Sequence, residues 1–443
     1  MTFVSRARRW LLLIVEYLGA QVAVRAISAA SALLLINILP IQEYGIYTLF
    51  LASLTFLTGF SDFGATGSLL YFWRRANNRI SIFAAYLQAV FRFRKLLFIG
   101  GALLSLIYIY GIARSKNYDE IEIAVGTGLM VIASWYMITT GTWLFAFRII
   151  GRFRQSYVVE GAGEFAKLII ILLLWVINVR YSWAAMGSVL IGAFASASLA
   201  GYFSKRPNII HKAHGVRMSH FADRAVWAQT VATMPWAIFF AVQGPLVVWL
   251  AATFGSVQNL AEVGALGRLG AIIGLISGFT ISVFVPKLSN IQNDVKYFGY
   301  YITWLGVLFF IGSTLLIILW YWPKILLVLL GNQYKGLHVE LFVAAVTAVV
   351  MTFEYFAGAI NRARGWVAGQ IVRISIIVLG QVISVAFLDF EFTADLLYFG
   401  LVTAILAMIV QLGFNFSGFL KIYLDFKNSK LSQKNSAKKR ETE

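Results

Sequence analysis

Long apolar stretches without charged residues recur from one end of this chain to the other, and they constrain its fold more than any other feature. An α-helix needs about 20 apolar residues to cross the hydrocarbon core of a bilayer, and many of these stretches approach that length. Charged residues make up only 13% of the 443 residues, about half of the share in an ordinary soluble domain. The lipid bilayer is therefore the solvent in which this chain folds.

The breaks between apolar runs predict an all-α polytopic membrane protein with about twelve transmembrane helices. The predicted spans are 11–39, 45–73, 95–113, 121–147, 158–178, 183–203, 225–253, 262–286, 299–321, 339–360, 366–388 and 396–419. Ile80–Phe91 and Ile291–Tyr297 are expected to lie along the inner headgroups. The polar tail from Lys427 to Glu443 is expected to be disordered.

The distribution of cations predicts the orientation of these spans. With a cytoplasmic N-terminus, 28 of the 37 Lys and Arg residues fall in inside loops and ends, Arg94 among them, and 5 fall outside. Because cytoplasmic loops collect cations during insertion, this partition predicts that both termini are cytoplasmic. It also explains the net charge of +18 without a nucleic-acid partner.

An internal repeat predicts the domain organisation. Glu43–Phe60 aligns without gaps on Glu262–Phe279 at an offset of 219, with five identical residues. Six spans in each half give the halves the same orientation, which predicts two parallel six-helix bundles around a central cavity. The predicted bundles are 1–203 and 225–422, joined by a cytoplasmic connector, 204–224, and followed by a basic cytoplasmic tail, 423–443.

The chain lacks the usual motifs of membrane enzymes and metal sites. It contains no cysteine, no phosphate-binding loop of the GxxxxGK[ST] type, no HExxH and no GxSxG. His211, His214 and His220 lie in a cationic loop without nearby acids, which is a poor metal site. The sequence therefore predicts neither catalysis nor a bound metal or cofactor.

Arg25 is the first of several ionisable residues that lie within predicted spans. It follows Trp10 by 15 residues, about 22 Å along a helix, which is near the middle of the bilayer. Gln21 and Ser28 share its helix face. A charge at that depth is costly in hydrocarbon, so we favour a cavity-lining role over a structural ion pair with Asp62.

Three further cations lie within spans. Arg373 shares a polar stripe with Gln370 and Gln381, which favours a position at the cavity. Arg268 lies close enough to the outer end of its span for its side chain to snorkel, so the cavity and the headgroup positions are equally supported. Lys167 has Glu164 and Glu160 on its own face, which favours local charge neutralisation. These three residues complete the candidate substrate-binding set.

Two acidic residues within spans, Asp62 and Glu354, carry the opposite charge. Either could bind a coupling proton or Na⁺, and either could neutralise a buried arginine. The sequence leaves both roles open.

Three short motifs resemble one family of transporters. The stretch Leu39–Tyr47, followed by Ser61–Gly64 and a basic end at Arg74 and Arg75, is similar to the first two spans of polysaccharide and O-antigen flippases. Leu329–Tyr334 resembles the turn between spans 9 and 10 of the same family. These flippases belong to the multidrug/oligosaccharidyl-lipid/polysaccharide exporter superfamily, whose two-bundle fold agrees with the repeat.

The resemblance implies alternating-access transport of an undecaprenyl-pyrophosphate-linked oligosaccharide from the cytoplasmic to the outer face of a bacterial inner membrane. Related lipid II flippases line their cavity with arginines in spans 1 and 8, where Arg25 and Arg268 occupy comparable places. The implied partners are this lipid-linked substrate, membrane lipids, and the polymerase and other assembly proteins of the polysaccharide pathway. The alternatives are a drug/cation antiporter of the same superfamily and, less favoured, a membrane polymerase or glycosyltransferase.

Overall fold

The computed structural model describes residues 3–77, 79–205, 219–273, 280, 288, 294–364, 366 and 370–442, and these contain helices and turns but no strand. The α-helices, numbered in chain order, are α1 (Phe3–Ile38), α2 (Ile41–Phe60), α3 (Ala65–Arg75), α4 (Ile80–Ser115), α5 (Glu120–Ile149), α6 (Phe153–Val176), α7 (Ser182–Lys205), α8 (Ser219–Gln243), α9 (Leu246–Phe254), α10 (Val257–Ile273), α11 (Asp294–Tyr321), α12 (Lys324–Leu330), α13 (His338–Arg364), α14 (Gln370–Val385) and α15 (Thr393–Thr442). The all-helical membrane fold predicted from the sequence is confirmed.

Most of the predicted spans correspond to single helices. Within the described part of the chain, eight helices are long and apolar enough to cross a membrane, and α8 with α9 make a ninth if that bent pair is one span. Helices α6 and α14 occupy the predicted fifth and eleventh spans, but α6 carries four charged side chains and α14 is short. The later part of the predicted eighth span and most of the connector 204–224 lie outside the described residues.

Residues with specific backbone preferences set where several helices begin. The side chain of Asp119 accepts a hydrogen bond from the backbone N–H of Ile121 at 2.9 Å and so caps α5. Pro40, Pro245 and Pro323 immediately precede α2, α9 and α12. Proline favours these positions because its missing N–H would have no partner in the first turn.

The predicted second span is broken into α2 and α3 by the turn Ser61–Gly64. Phe63 and Gly64 have φ angles of 40° and 81°, a left-handed conformation that is rare for phenylalanine. Packing holds Phe63 there, because its side chain is buried and its ring lies 4.7 Å from the ring of Phe60. The backbone N–H of Thr66 donates to Asp62 Oδ1 at 3.2 Å, so Asp62 also caps the start of α3.

The chain forms two compact units, Met1–Ala265 and Leu266–Glu443. In the first unit, α7 packs on α5 and α6, α1 packs on α6, and α8 packs on α2, α3 and α4. In the second unit, α13 and α14 pack on α15, and α11 packs on α13. The bundle limits predicted from the sequence, 1–203 and 225–422, stay a prediction.

The start of the third span differs from the prediction. Helix α4 begins at Ile80 and runs without interruption to Ser115, so Ile80–Phe91 is part of the same helix as the predicted third span and not a separate segment. Phe83, Tyr86 and Val90 are buried in a core that α4 shares with α3, α5 and α8. This core buries apolar side chains all along the first turns of α4, which explains why the helix does not begin near residue 95.

The tail also differs from the prediction. Helix α15 continues from Thr393 to Thr442, through the segment that was expected to be disordered. The sequence after Gly418 contains neither proline nor glycine, so no residue with a strong helix-ending preference interrupts it. The predicted twelfth span and the basic tail are therefore one helix.

Two glycines allow α6 and α7 to approach closely. A Cβ atom added to Gly163 would lie 2.8 Å from the carbonyl oxygen of Gly192, and one added to Gly192 would lie 2.7 Å from the carbonyl oxygen of Gly163. Real Cβ atoms do not approach a carbonyl oxygen that closely, so the crossing requires glycine in both helices.

We therefore expect Gly163→Val to lower the melting temperature of the purified protein. Overpacking of a tight contact typically destabilises by about 1–3 kcal/mol. Gly187→Val is the matched control, because it lies in α7 and a Cβ atom there would meet nothing within 4 Å. Equal melting temperatures for the two variants would show that the α6–α7 crossing tolerates a side chain.

Candidate functional site

Arg25 lies on an exposed face of α1 in the first unit. The neighbouring Val24 is buried and packs near Gly161 of α6, so α1 contacts α6 through a different face. Among the described residues, no carboxylate forms an ion pair with Arg25. The structure therefore leaves this guanidinium without an acidic partner in the described part of the first unit.

Asp62 pairs with Arg94, and the predicted alternative of an Arg25–Asp62 ion pair is wrong. The distance from Arg94 Nε to Asp62 Oδ1 is 3.4 Å, and Arg94 is only 5% exposed. Arg94 Nη1 donates to Thr66 Oγ1 at 2.9 Å, to the Ile138 carbonyl at 3.3 Å and to Thr142 Oγ1 at 2.5 Å. Arg94 thus joins α3, α4 and α5 inside the first unit and does not belong to the inside loop where the cation count placed it.

Lys167 is neutralised within its own helix, as the spacing of charges predicted. Its ammonium group forms an ion pair with Glu164 one turn earlier on α6. The second acid of that stripe, Glu160, pairs instead with Arg148 at 2.9 Å, where it joins α6 to the end of α5. The charge of Lys167 is therefore already balanced by Glu164 before any ligand binds.

Arg373 and Glu354 form a buried ion pair in the second unit. Arg373 Nη2, on α14, contacts Glu354 Oε1, on α13, and the two residues are 2% and 7% exposed. Arg362, two turns after Glu354 on α13, also interacts electrostatically with the Glu354 carboxylate. The sequence left open whether Glu354 binds a coupling ion or neutralises a buried arginine. The structure places it beside a buried arginine.

An amide network surrounds this pair. Gln411 of α15 donates a hydrogen bond to Glu354, and Asn361 Nδ2 donates to Gln411 Oε1 at 2.7 Å. Asn415 Nδ2 donates to the Ala357 carbonyl at 3.0 Å. The Oδ1 atoms of Asn361 and Asn415 are buried without a hydrogen-bond partner, and each residue is only 1% exposed. The network therefore contains two hydrogen-bond acceptors that are not in use.

Arg268 lies half-buried on α10 at the start of the second unit. The predicted set of substrate-binding cations is thus divided, with Arg25 and Lys167 in the first unit and Arg268 and Arg373 in the second. The sequence patterns did not indicate a role within the bundles for Arg94, Arg362 or the amides of α15. The burial of Arg94 was concealed by its neighbours Arg92 and Lys95, which made the segment resemble a cytoplasmic loop.

The described residues contain no group of three or more His, Asp or Glu side chains that could hold a metal ion. The polar chemistry of both units instead consists of guanidinium, ammonium, carboxylate and amide groups. These groups can bind anions, exchange protons and form hydrogen bonds, but no arrangement of a nucleophile with a general base occurs among the contacts described above.

No family model and no curated protein matches this sequence. Solved structures do match it in fold. One is titled as the inward-facing conformation of a multidrug resistance MATE family transporter of the MOP superfamily; it is 12% identical, with a TM-score of 0.68 over 89% of this chain and 95% of that chain. An outward-facing MATE structure is 13% identical, with a TM-score of 0.54 over 92% and 94% of the two chains. A eukaryotic MATE transporter is 14% identical, with a TM-score of 0.54 over 89% and 95%. The chain has the fold of the MATE transporters of the MOP superfamily.

Proposed function

We propose that this chain is an alternating-access transporter and not an enzyme. Its substrate is an undecaprenyl-pyrophosphate-linked oligosaccharide, which it moves from the cytoplasmic to the outer face of a bacterial inner membrane for surface polysaccharide synthesis. The support for transport is the fold, because inward-facing and outward-facing structures both resemble this chain. The support for this substrate comes from the charges within the spans.

The pairing of charges is the observation that carries the choice of substrate. Asp62, Glu164 and Glu354 each form an ion pair with a basic residue, so these in-span acids are already neutralised. Arg25 has no such partner among the described acids. A charge near mid-bilayer that lacks a protein counter-ion needs water or an anionic ligand. This arrangement favours an anionic substrate over a cationic one.

The chemistry of a lipid-linked oligosaccharide fits this requirement. Its pyrophosphate and sugars cannot cross about 30 Å of hydrocarbon unaided, whereas its polyprenyl tail can remain in lipid. Guanidinium groups bind phosphate oxygens through paired, charge-assisted hydrogen bonds. Rocking of the two predicted bundles would expose the bound headgroup first to one side of the membrane and then to the other.

A drug/cation antiporter is the second candidate. The solved structures with this fold include multidrug resistance transporters by title, which favours that function. A cationic drug would need an acidic residue in the binding cavity. Asp62 and Glu354 would have to leave their arginines to supply one, which weighs against this candidate. Glu43 and Glu122, in the first turns of α2 and α5, form no ion pair with a basic residue among the described residues, which favours it.

A chromosomal deletion separates the two candidates. We expect the deletion strain to accumulate lipid-linked oligosaccharide on the cytoplasmic face and to lose surface polysaccharide, with unchanged sensitivity to cationic drugs. The wild-type gene on a plasmid should restore the polysaccharide. Increased drug sensitivity with normal surface polysaccharide would support the antiporter and exclude the flippase.

The orientation of the chain is a separate prediction of this proposal. Reporter fusions after Asn117 and Asn259 should lie outside the inner membrane, and fusions after Asn208 and Lys430 should lie in the cytoplasm, because of the cation partition. Phosphatase and fluorescent-protein reporters measure the two locations. A fusion after Asn208 that reports the outside would contradict the six-plus-six arrangement.

A further inference from the structure

The buried Arg373–Glu354 ion pair of the second unit differs from the Arg94–Asp62 pair of the first unit in how many cations act on the carboxylate. Among the described residues Asp62 forms an ion pair with one cation, Arg94, whose Nη1 is taken up by Thr66, Thr142 and a backbone carbonyl. Glu354 has two, because both Arg373 and Arg362 interact with it. The Glu354 site therefore carries a net positive charge even when the carboxylate is ionised.

The spacing of residues along α13 places Arg362 on the same side of the helix as Glu354. A Cβ atom added to Gly358 would lie 3.4 Å from Arg362 Nη1 and 3.1 Å from Gln411 Nε2. Glu354, Gly358 and Arg362 follow one another at intervals of four residues, so they lie on one face of the helix. The guanidinium of Arg362 occupies the space that the missing side chain of Gly358 leaves, next to Gln411.

We propose that Arg362 and Arg373 form a binding site for a phosphate-type anion, and that the Glu354 carboxylate occupies this site until a proton or the anion displaces it. This inference rests on the proposed function, because it assigns the second unit a contact with the pyrophosphate of the substrate. A pyrophosphate diester carries one negative charge on each phosphate, which matches two guanidinium groups once Glu354 is neutral.

The amide network accommodates Glu354 in both protonation states. The ionised carboxylate accepts a hydrogen bond from Gln411 Nε2 and the ion pair with Arg373. A protonated Glu354 becomes a donor, and reversal of the Gln411 amide presents Oε1 to it. The same reversal turns Gln411 Nε2 toward Asn361 Nδ2, which now donates to Gln411 Oε1. The Asn361 amide must therefore reverse as well, and its Oδ1, which is buried without a donor, then becomes the acceptor that the protonated state requires.

The other groups around Glu354 do not replace it as the proton acceptor. On α13 the remaining titratable neighbour is Tyr355, which interacts with both Glu354 and Arg373. Helix α15 contributes Gln411, which bonds to Glu354, and Asn415, which bonds to the Gln411 carbonyl. Helix α11 contacts α13 through Tyr301, whose ring stacks on Phe356 at 5.7 Å. The proton comes from water, converts the carboxylate to a carboxylic acid, and returns to water when the anion leaves.

Binding of inorganic pyrophosphate to the purified full-length protein, measured by titration calorimetry, tests this inference. We expect Glu354→Gln to bind pyrophosphate at least about tenfold more tightly than wild type at alkaline pH, because the competing carboxylate is gone. The difference should shrink as the pH falls and wild-type Glu354 is protonated. Because the probe itself titrates, the ratio between the two proteins at each pH is the quantity to compare.

Two further variants make the result specific. Glu354→Gln combined with Arg373→Gln leaves no unpaired buried charge, and it should lose the gain in affinity. Asp62→Asn is the control, since it neutralises the partly exposed acid that pairs with Arg94 in the first unit and should leave pyrophosphate affinity unchanged. Equal affinities for Glu354→Gln and wild type at every pH, or an equal gain for Asp62→Asn, would overturn the inference. If the protein flips lipid-linked oligosaccharide but gives one of these two contrary results, only the proposed anion site is overturned. If calorimetry gives the expected affinities but the protein does not flip lipid, the proposed function is overturned.

Discussion

Arg94→Ala is expected to destabilise the protein by about 1.5–3 kcal/mol, the effect of losing hydrogen bonds to a charged group, because Arg94 is buried whereas the Asp62 side chain is 29% exposed. The change leaves the Asp62 carboxylate without its cation and empties the space that joins α3, α4 and α5. A large fall in melting temperature of the purified protein, or loss of folded protein from the membrane, measures this effect.

Arg92→Ala is the control for this prediction. Arg92 lies two residues earlier on α4 and pairs with Asp223 at 2.6 Å, but the two side chains are 48% and 42% exposed. Exposed pairs contribute about 1 kcal/mol or less. Combining Arg94→Met with Asp62→Asn should recover part of the lost stability, because the Asp62 charge is then no longer left without its cation. Equal destabilisation by Arg92→Ala and Arg94→Ala would contradict the structural role of the Asp62–Arg94 pair.

Arg25→Ala is expected to reduce transport of lipid-linked oligosaccharide to background while the protein still folds and inserts. Arg25 is exposed on α1, and its removal opens no cavity in the core. A hydrogen bond between a charged side chain and a charged ligand contributes about 1.5–3 kcal/mol, so we expect the transport rate to fall at least about tenfold. Arg25→Lys should keep partial activity, because an ammonium binds phosphate as a point charge and not as a planar fork.

The second-site change Asp62→Ala should not rescue Arg25→Ala, because Asp62 pairs with Arg94 and not with Arg25. Arg180→Ala is the control for general loss of positive charge, since Arg180 is an exposed residue between α6 and α7. Transport activity, membrane abundance and melting temperature should be measured for each variant. Normal transport by Arg25→Ala would remove Arg25 from the substrate site.

The helical architecture could be predicted from the sequence because each apolar run is a local signal. The short-range charge pair Lys167–Glu164 was predicted for the same reason, since residues three apart on a helix are neighbours. The break at Ser61–Gly64 was not predicted, because a left-handed phenylalanine depends on packing around Phe63 that no local pattern reports.

The long-range pairs required the structure. Arg92 and Arg94 are two residues apart and therefore point about 200° from one another around α4, so one can be exposed while the other is buried. The sequence does not tell which of them faces the core. Neutralisation of a buried arginine was one of two roles that the sequence left open for Glu354. Whether Glu354 meets Arg373 depends on how α13 and α14 pack on α15.

Reconstituted flipping tests the central claim, an anionic lipid-linked substrate held by Arg25, most directly. Purified wild-type protein, Arg25→Ala and Arg180→Ala are placed in liposomes with a lipid-linked oligosaccharide, and the fraction of headgroups that reach the opposite leaflet is measured with a sugar-specific probe. We expect flipping by wild type and Arg180→Ala, background flipping by Arg25→Ala, and no uptake of a cationic dye by any of the three. Dye transport by wild type without oligosaccharide flipping would contradict the central claim and leave the cation antiporter as the function of this chain.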